Sequence, residues 1–346
     1  MTPLVPPLPW RRALVTGGAG FLGSALCERL LDAGVDIDCA DRGSEGPRVE
    51  HLGRCPGFRF LPCDPAAPEA PGLLDGPYDV VLHLAWPDPG ECRADPVRAL
   101  EAGSDGTRQA LSIAHRDGAR LLFASTSEVY GDPRTHPQRE DYPGYVDPVG
   151  PQSVTAESRR YAEALVTAHV AAHGTDAGIV RLFSSYGPRM PAHEGRAVPT
   201  FIRQALASEP LTVTGDGSQT RCLCYVDDVV EGILAVAASR SVRPVNVGGT
   251  QEMTVTNLAR SILDLTGSRS PLRFVDRPPG DPEHLRPDTT LARELLGWLP
   301  RVSWADGLKT TIAYFAAAAA ADRPEPPHTA SGARTPPCLG RRPAQG

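Results

Sequence analysis

The sequence has no concentrated run of basic residues and no apolar stretch of membrane-spanning length. Nucleic acid and anionic membrane surfaces attract clustered Lys and Arg. Here 35 dispersed Lys and Arg face 41 Asp and Glu, for a formal charge of -6. A bilayer span needs about 20 consecutive apolar residues, and none occurs. Residues 1–9 carry prolines where a signal peptide would have a charged region and an apolar helix. Neither nucleic acid nor membrane is expected as a partner, and the cytoplasm is the expected compartment.

Metal chemistry also lacks a signature. Of eight cysteines, only Cys222 and Cys224 stand close together, and no Cys-x-x-Cys occurs. Small, buried, reduced thiols are the expectation. The nine histidines look scattered, without a ligand spacing. No metal site is expected.

What is present is a nucleotide cradle near the start. The apolar run Ala13-Leu14-Val15-Thr16 ends in Gly17-Gly18-Ala19-Gly20-Phe21-Leu22-Gly23, and an amphipathic segment runs on to Leu31. That order reads as strand, tight turn, helix. Gly17 allows the turn, Gly20 lets backbone approach a pyrophosphate, and Gly23 lets helix pack on strand. The anion then meets free N–H groups at the positive end of the helix dipole. Residues 35–41 alternate and end in Asp41, at the distance where a carboxylate meets the adenosine ribose. A carboxylate there repels a 2′-phosphate, so NAD is favoured over NADP, although Arg42 beside it could welcome that phosphate.

Short apolar strands recur at 58–61, 78–85, 119–125 and 178–183, with helical patterns at 96–115 and 151–173 between the later ones. Strands alternating with helices give an α/β, doubly wound parallel sheet of Rossmann type, with chemistry at the carboxyl ends of its strands. The helix at 151–173 carries Thr155, Arg159 and Glu163 on one face at i, i+4 spacing. Past Tyr186-Gly187-Pro188-Arg189-Met190 the pattern breaks into shorter elements. Residues 10–188, with a return near 222–248, read as the cofactor domain. Residues 189–221 and 249–318 read as a smaller C-terminal α/β substrate domain, ending in an amphipathic helix at 304–321. Residues 322–346 are rich in Pro, Arg and Gly with almost no apolar content, and are expected to be disordered.

Several stretches together resemble the extended short-chain dehydrogenase/reductases that act on nucleotide sugars, most closely UDP-glucuronate decarboxylases. They are Thr16 to Gly23, Ser125-Thr126-Ser127-Glu128-Val129-Tyr130-Gly131-Asp132, Tyr186 to Met190, Gly215-Asp216-Gly217-Ser218-Gln219-Thr220-Arg221, Tyr225-Val226-Asp227-Asp228 and Leu296-Gly297-Trp298. The likeness spans Arg12 to Phe315. It implies that Gly17, Gly20, Phe21, Leu22, Asp41, Asp64 and the Leu84-Ala85 loop hold NAD. It also implies that Arg189, Gln219, Arg221 and Arg286 face the nucleotide diphosphate, and that Thr126 and Glu128 face the sugar. A homodimer is the implied assembly.

The resemblance also shows where the chain departs. Related dehydratases carry an Asp between Thr126 and Glu128 to protonate the leaving hydroxyl; Ser127 is a poor acid, so elimination of water is disfavoured. The family's Tyr-x-x-x-Lys pair falls on Thr155 and Arg159, and two expected Asn positions hold Gly103 and Ser184. A threonine hydroxyl is far too weak an acid to act as a resting base. Arg159 keeps a charge but does not release a proton. Tyr161 lies about 200° around the helix from Arg159 at roughly 100° per residue, so it should point away from the site and pack.

Two readings follow. One is an NAD-dependent enzyme on a UDP-sugar, UDP-glucuronate or a relative, with an atypical site. In it Glu128 is the base, Thr126 and Thr155 donate hydrogen bonds, and Arg159 holds ribose or a substrate carboxylate. Decarboxylation through a C4 ketone is the nearest precedent, with epimerisation close behind. The other is a catalytically weakened relative that binds NAD and a UDP-sugar without turnover.

Overall fold

The computed structural model describes residues 8–43, 46, 48–192 and 195–321. The expected tail, 322–346, lies outside the described residues. A seven-stranded parallel sheet forms the centre. Its strands are β1 (Arg12–Thr16), β2 (Asp36–Asp41), β3 (Phe58–Pro62), β4 (Val80–His83), β5 (Arg120–Thr126), β6 (Ala177–Leu182) and β7 (Val245–Val247), in the order β7-β6-β5-β4-β1-β2-β3. The chain runs outward from β1 through β2 and β3, then returns to start β4 on the other side of β1. That reversal opens a crevice at the carboxyl ends of β1 and β4, where open α/β sheets bind ligands.

Strand side chains alternate between faces, and the two faces build two cores. Ala13, Val15, Leu82, Leu122 and Val180 pack with Leu26 and Leu30 of α1 (Phe21–Asp32). Leu14, Val81, Leu121, Phe123 and Ile179 instead meet α3 (Pro96–Asp117) and α4 (Ser153–His173), through Leu111, Ile113 and Val166. Between β4 and α3 lies a short helix, α2 (Pro89–Ala94), whose start is closed by a reciprocal Asp88–Glu91 capping box. A later helix, α5 (Val226–Ala238), completes the first face with Val229 and Ile233.

The described strands after 188 are short, two to four residues each. Leu211–Thr214 pairs in parallel with Leu272–Val275, and Thr220–Cys222 lies between Glu252–Thr254 and His284–Leu285. The closing helix covers Trp304–Ala321.

Three sequence expectations need correction. Tyr161 does point away from the main cavity, but it is 49% exposed and does not pack. The histidines are not all scattered: α3 and α4 end side by side, bringing His115, His169 and His173 together with ring centroids 4.5–5.7 Å apart. Thr175 bonds Nδ1 of both His115 and His169. Among the described residues, no group of three or more His, Cys, Asp or Glu is arranged to hold a metal ion. Of the seven described cysteines, only Cys27, Cys39, Cys222 and Cys224 are buried; Cys55, Cys63 and Cys92 are partly exposed. No described helix is long and apolar enough to cross a membrane.

Candidate active site

The glycine turn is built tightly against the start of the β4 loop. Gly17 has φ +71°, and a Cβ there would lie 2.7 Å from the Ala85 nitrogen. A Cβ on Gly23 would lie 2.1 Å from the Gly17 carbonyl oxygen, so helix and turn touch through glycine alone. Gly20, the N-cap of α1, supplies no side-chain cap. The first N–H groups of the helix therefore need an outside acceptor. This turn fits a dinucleotide pyrophosphate.

Asp41 closes the turn from β2. Its Oδ2 accepts the Ala19 N–H at 2.9 Å and its Oδ1 accepts the Arg42 N–H at 2.8 Å. The Arg42 side chain is drawn off to Glu91 of α2 at 2.6 Å. Asp64 uses one carboxylate oxygen to accept the Ala66 N–H at 2.9 Å. Ala85 donates to Thr16 Oγ1 at 3.4 Å, below the turn.

A single cavity of about 960 Å³ runs from this turn across the carboxyl ends of the strands. Its cofactor end is lined by Gly17, Gly20, Phe21, Leu22, Gly23 and Leu84. Its middle is lined by Thr126, Ser127, Glu128, Thr155, Arg159 and Ser184. Its far wall includes Gln219 and Arg221. Asp41, Arg42, Asp64, Ala85, Arg189 and Arg286 do not line it.

The side chains in the middle have distinct surroundings. Thr126 ends β5 and caps the short turn that follows, accepting the Glu128 N–H at 3.4 Å. Ser127 is buried, while Glu128 projects into the open. Glu163, on the same helix face as Arg159, goes to the core instead, pairing with Arg181 at 2.7 Å and accepting from Ser125 at 2.6 Å. Arg159 donates to the Ala124 carbonyl, and its guanidinium carbon lies 3.9 Å from the centroid of the Trp86 ring. Its Nε is sealed from solvent without a partner. Burial pulls the Arg159 pKa down to about 10, against the opposing pull of Glu128.

The arginines expected at the diphosphate are mostly engaged elsewhere. Arg189, at φ +64°, grips both oxygens of Glu28 on α1. Arg286 is half exposed beside Glu252, 3.9 Å away. Arg221 is spent on Asp281 at 2.6 Å and on the carbonyls of Thr220 and Pro282. Gln219 donates twice to Thr214, leaving its Oε1 buried without a donor.

Two residues at the site had no signal of their own in the sequence. Trp86 follows the Leu84-Ala85 loop and lines the cavity. Cys92 lies on α2 behind the cavity wall, its thiol donating to the Pro87 carbonyl at 3.7 Å, and burial pushes that thiol up. The one clue to Trp86 was Gly103, the missing Asn, whose absent side chain makes its room.

Residues 13–248 match the model of the NAD dependent epimerase/dehydratase family. The chain belongs to that family. The chain is 41% identical to UDP-glucuronic acid decarboxylase 1 of Danio rerio over 308 residues, 88% of this chain and 72% of that one. It superimposes on UDP-glucose 4-epimerase of Thermotoga maritima, solved with UDP-glucose, with a TM-score of 0.82 at 27% identity, covering 89% and 99% of the two chains. For UDP-glucuronic acid 4-epimerase of Bacillus cereus, solved with UDP-glucuronic acid and NAD, the TM-score is 0.80 at 27% identity, covering 88% and 98%. The α/β fold of Rossmann type agrees with the sequence reading.

Proposed function

We propose that this chain is an NAD-dependent enzyme acting on a UDP-sugar, with UDP-glucuronate decarboxylation as the reaction and epimerisation through the same C4 ketone as the variant. One observation carries the reading: the glycine turn and Glu128, Thr126, Thr155 and Arg159 line a single cavity in a chain 41% identical to a UDP-glucuronic acid decarboxylase.

NAD held at Gly17, Gly20, Phe21, Leu22, Gly23 and Asp41 supplies the acceptor and donor for a hydride at C4 of the sugar. Glu128 takes the proton of the C4 hydroxyl as that carbon is oxidised. Thr126 and Thr155 donate hydrogen bonds to the sugar oxygens. The resulting β-keto acid loses its carboxylate as carbon dioxide, the bonding electrons pass to C5, and a proton then completes C5. Return of the hydride to C4, with Glu128 handing its proton back to the C4 oxygen, leaves a UDP-pentose and restores the carboxylate. Ser127 is no proton donor for a leaving hydroxyl, so water is retained.

Arg159 holds the cofactor ribose in this scheme. Residues 10–188 and 222–248 bind NAD, and residues 189–221 and 249–318 bind the nucleotide sugar. Gln219 is the clearest contact there, since its buried Oε1 still wants a donor. The protein works in the cytoplasm as a homodimer.

The base assignment is tested by rapid-mixing absorbance at 340 nm with UDP-glucuronate and NAD. Glu128→Gln should abolish the NADH transient and Thr155→Val should keep it; the reverse pattern contradicts the assignment. Tight binding of both ligands without any transient in the native protein would favour the catalytically weakened relative.

A further inference from the structure

Arg159, Trp86 and Gly103 come from three different elements and share one small volume. A Cβ on Gly103 of α3 would lie 2.6 Å from the Trp86 ring, so the indole occupies room that only glycine leaves. On its cavity side the indole carries the Arg159 guanidinium at 3.9 Å, and Phe123 of β5 backs it at 5.9 Å. Arg159 is thus fixed by a ring face and by the Ala124 carbonyl. Among the described residues, no anion is a hydrogen-bond partner of its side chain, and its Nε is still without an acceptor inside the cavity wall.

We propose that Trp86 is the positioning residue for Arg159 and that the pair forms the ribose-binding corner of the cofactor site. Gly103 is what admits it. The physical reason is the planar guanidinium. A lysine ammonium is held by directed acceptors, whereas a guanidinium can lie flat on an aromatic face and keep its N–H edge for ligand oxygens. Gly103 and Arg159 are then coupled through Trp86, which packs on one and carries the other. This inference rests on the reading that the cavity binds NAD.

The test is NAD affinity by isothermal titration calorimetry, which needs no turnover. Trp86→Leu keeps apolar bulk and removes the ring face; it should weaken NAD binding about tenfold, in line with a desolvated cation–π contact. Trp86→Phe keeps a ring face and should stay within about threefold of the native protein. In an Arg159→Gln background, Trp86→Leu should bring no further loss, because the pair acts as a unit. Equal losses in both backgrounds, or native affinity in Trp86→Leu, would overturn the inference. Native protein that takes up no NAD would instead overturn the reading beneath it. If Trp86→Leu fails to fold, the comparison passes to Trp86→Phe and Arg159→Lys. Arg159→Lys should then lose affinity while Trp86→Phe keeps it, and the opposite order overturns the proposal.

Discussion

Arg189 grips both carboxylate oxygens of Glu28, tying the Tyr186–Met190 turn to the helix that follows the glycine turn. Burial alone would push the Glu28 carboxyl up, but Arg189 and His51 together hold it below the usual carboxylate range. The pair clamps the cofactor helix and does not reach the cavity. Arg189→Ala should therefore cost about 1 kcal/mol of stability, as a partly buried charge-assisted pair does. The UDP-sugar KM should change less than about threefold, since a binding contact would be worth more than that. Thermal melts and steady-state kinetics on the variant check both halves.

His83 predicts an acid limit. Its ring lies between Thr16 Oγ1, 2.7 Å from Nδ1, and Thr107 Oγ1, 3.5 Å from Nε2. Burial, with the Arg159 charge nearby, pulls its pKa down to about 3. A neutral native histidine binds fewer protons than the unfolded one. Its contribution is thus complete above about pH 6.5 and is lost as pH falls toward 3, on the order of a few kcal/mol. Urea midpoints measured between pH 7 and 4 should fall steadily. His83→Gln should start lower at pH 7 and show a shallower slope; an unchanged slope contradicts the assignment.

The His115, His169 and His173 triangle adds a separate pH dependence at the far ends of α3 and α4. Burial, and then the charges of His173 and His115, hold the His169 pKa below the ordinary histidine value. The same sign applies: the contribution is present above about pH 6.5 and fades below it. His173→Gln removes one repelling ring. Between pH 7 and 5.5, its melting temperature should fall less than that of the native protein.

Asp41 predicts the choice of cofactor. The carboxylate is fixed by two backbone N–H groups at the tip of β2, and Arg42 is held away by Glu91. NAD should bind at least tenfold more tightly than NADP, a difference of about 1.4 kcal/mol. Asp41→Asn should narrow that gap, chiefly by improving NADP. Titration of both dinucleotides into both proteins measures it.

Much of the fold was legible because its signals are local. The Ala13–Thr16 run, the three glycines and the alternation ending in Asp41 each lie within a few residues, where backbone geometry ties residue type to structure. Thr155 and Arg159 were legible through the resemblance, whose Tyr-x-x-x-Lys pair falls on them, and both line the cavity; helix-face spacing alone did not suffice, since Glu163 on the same face turns to the core. Arg189 and Arg286 were not. The resemblance implied a role at the diphosphate; that Arg189 grips Glu28 and Arg286 lies beside Glu252 could not be read from the sequence, because those partners come from distant parts of the chain. Trp86 was missed because its partners, Gly103 and Arg159, lie 17 and 73 residues on and meet it only in the folded sheet. The histidine triangle was hidden likewise, since His115 joins His169 and His173 only where α3 and α4 end together.

The central claim is that this cavity, with threonine and arginine where tyrosine and lysine are expected, still turns over a UDP-hexuronate. UDP-glucuronate labelled with 13C at the carboxyl carbon, incubated with the protein and NAD and followed by 13C NMR, tests it most directly. Transfer of the label to carbon dioxide and bicarbonate, with a UDP-pentose as co-product, is the predicted result. A carboxyl signal that stays on an unchanged sugar, while both ligands bind, would contradict it.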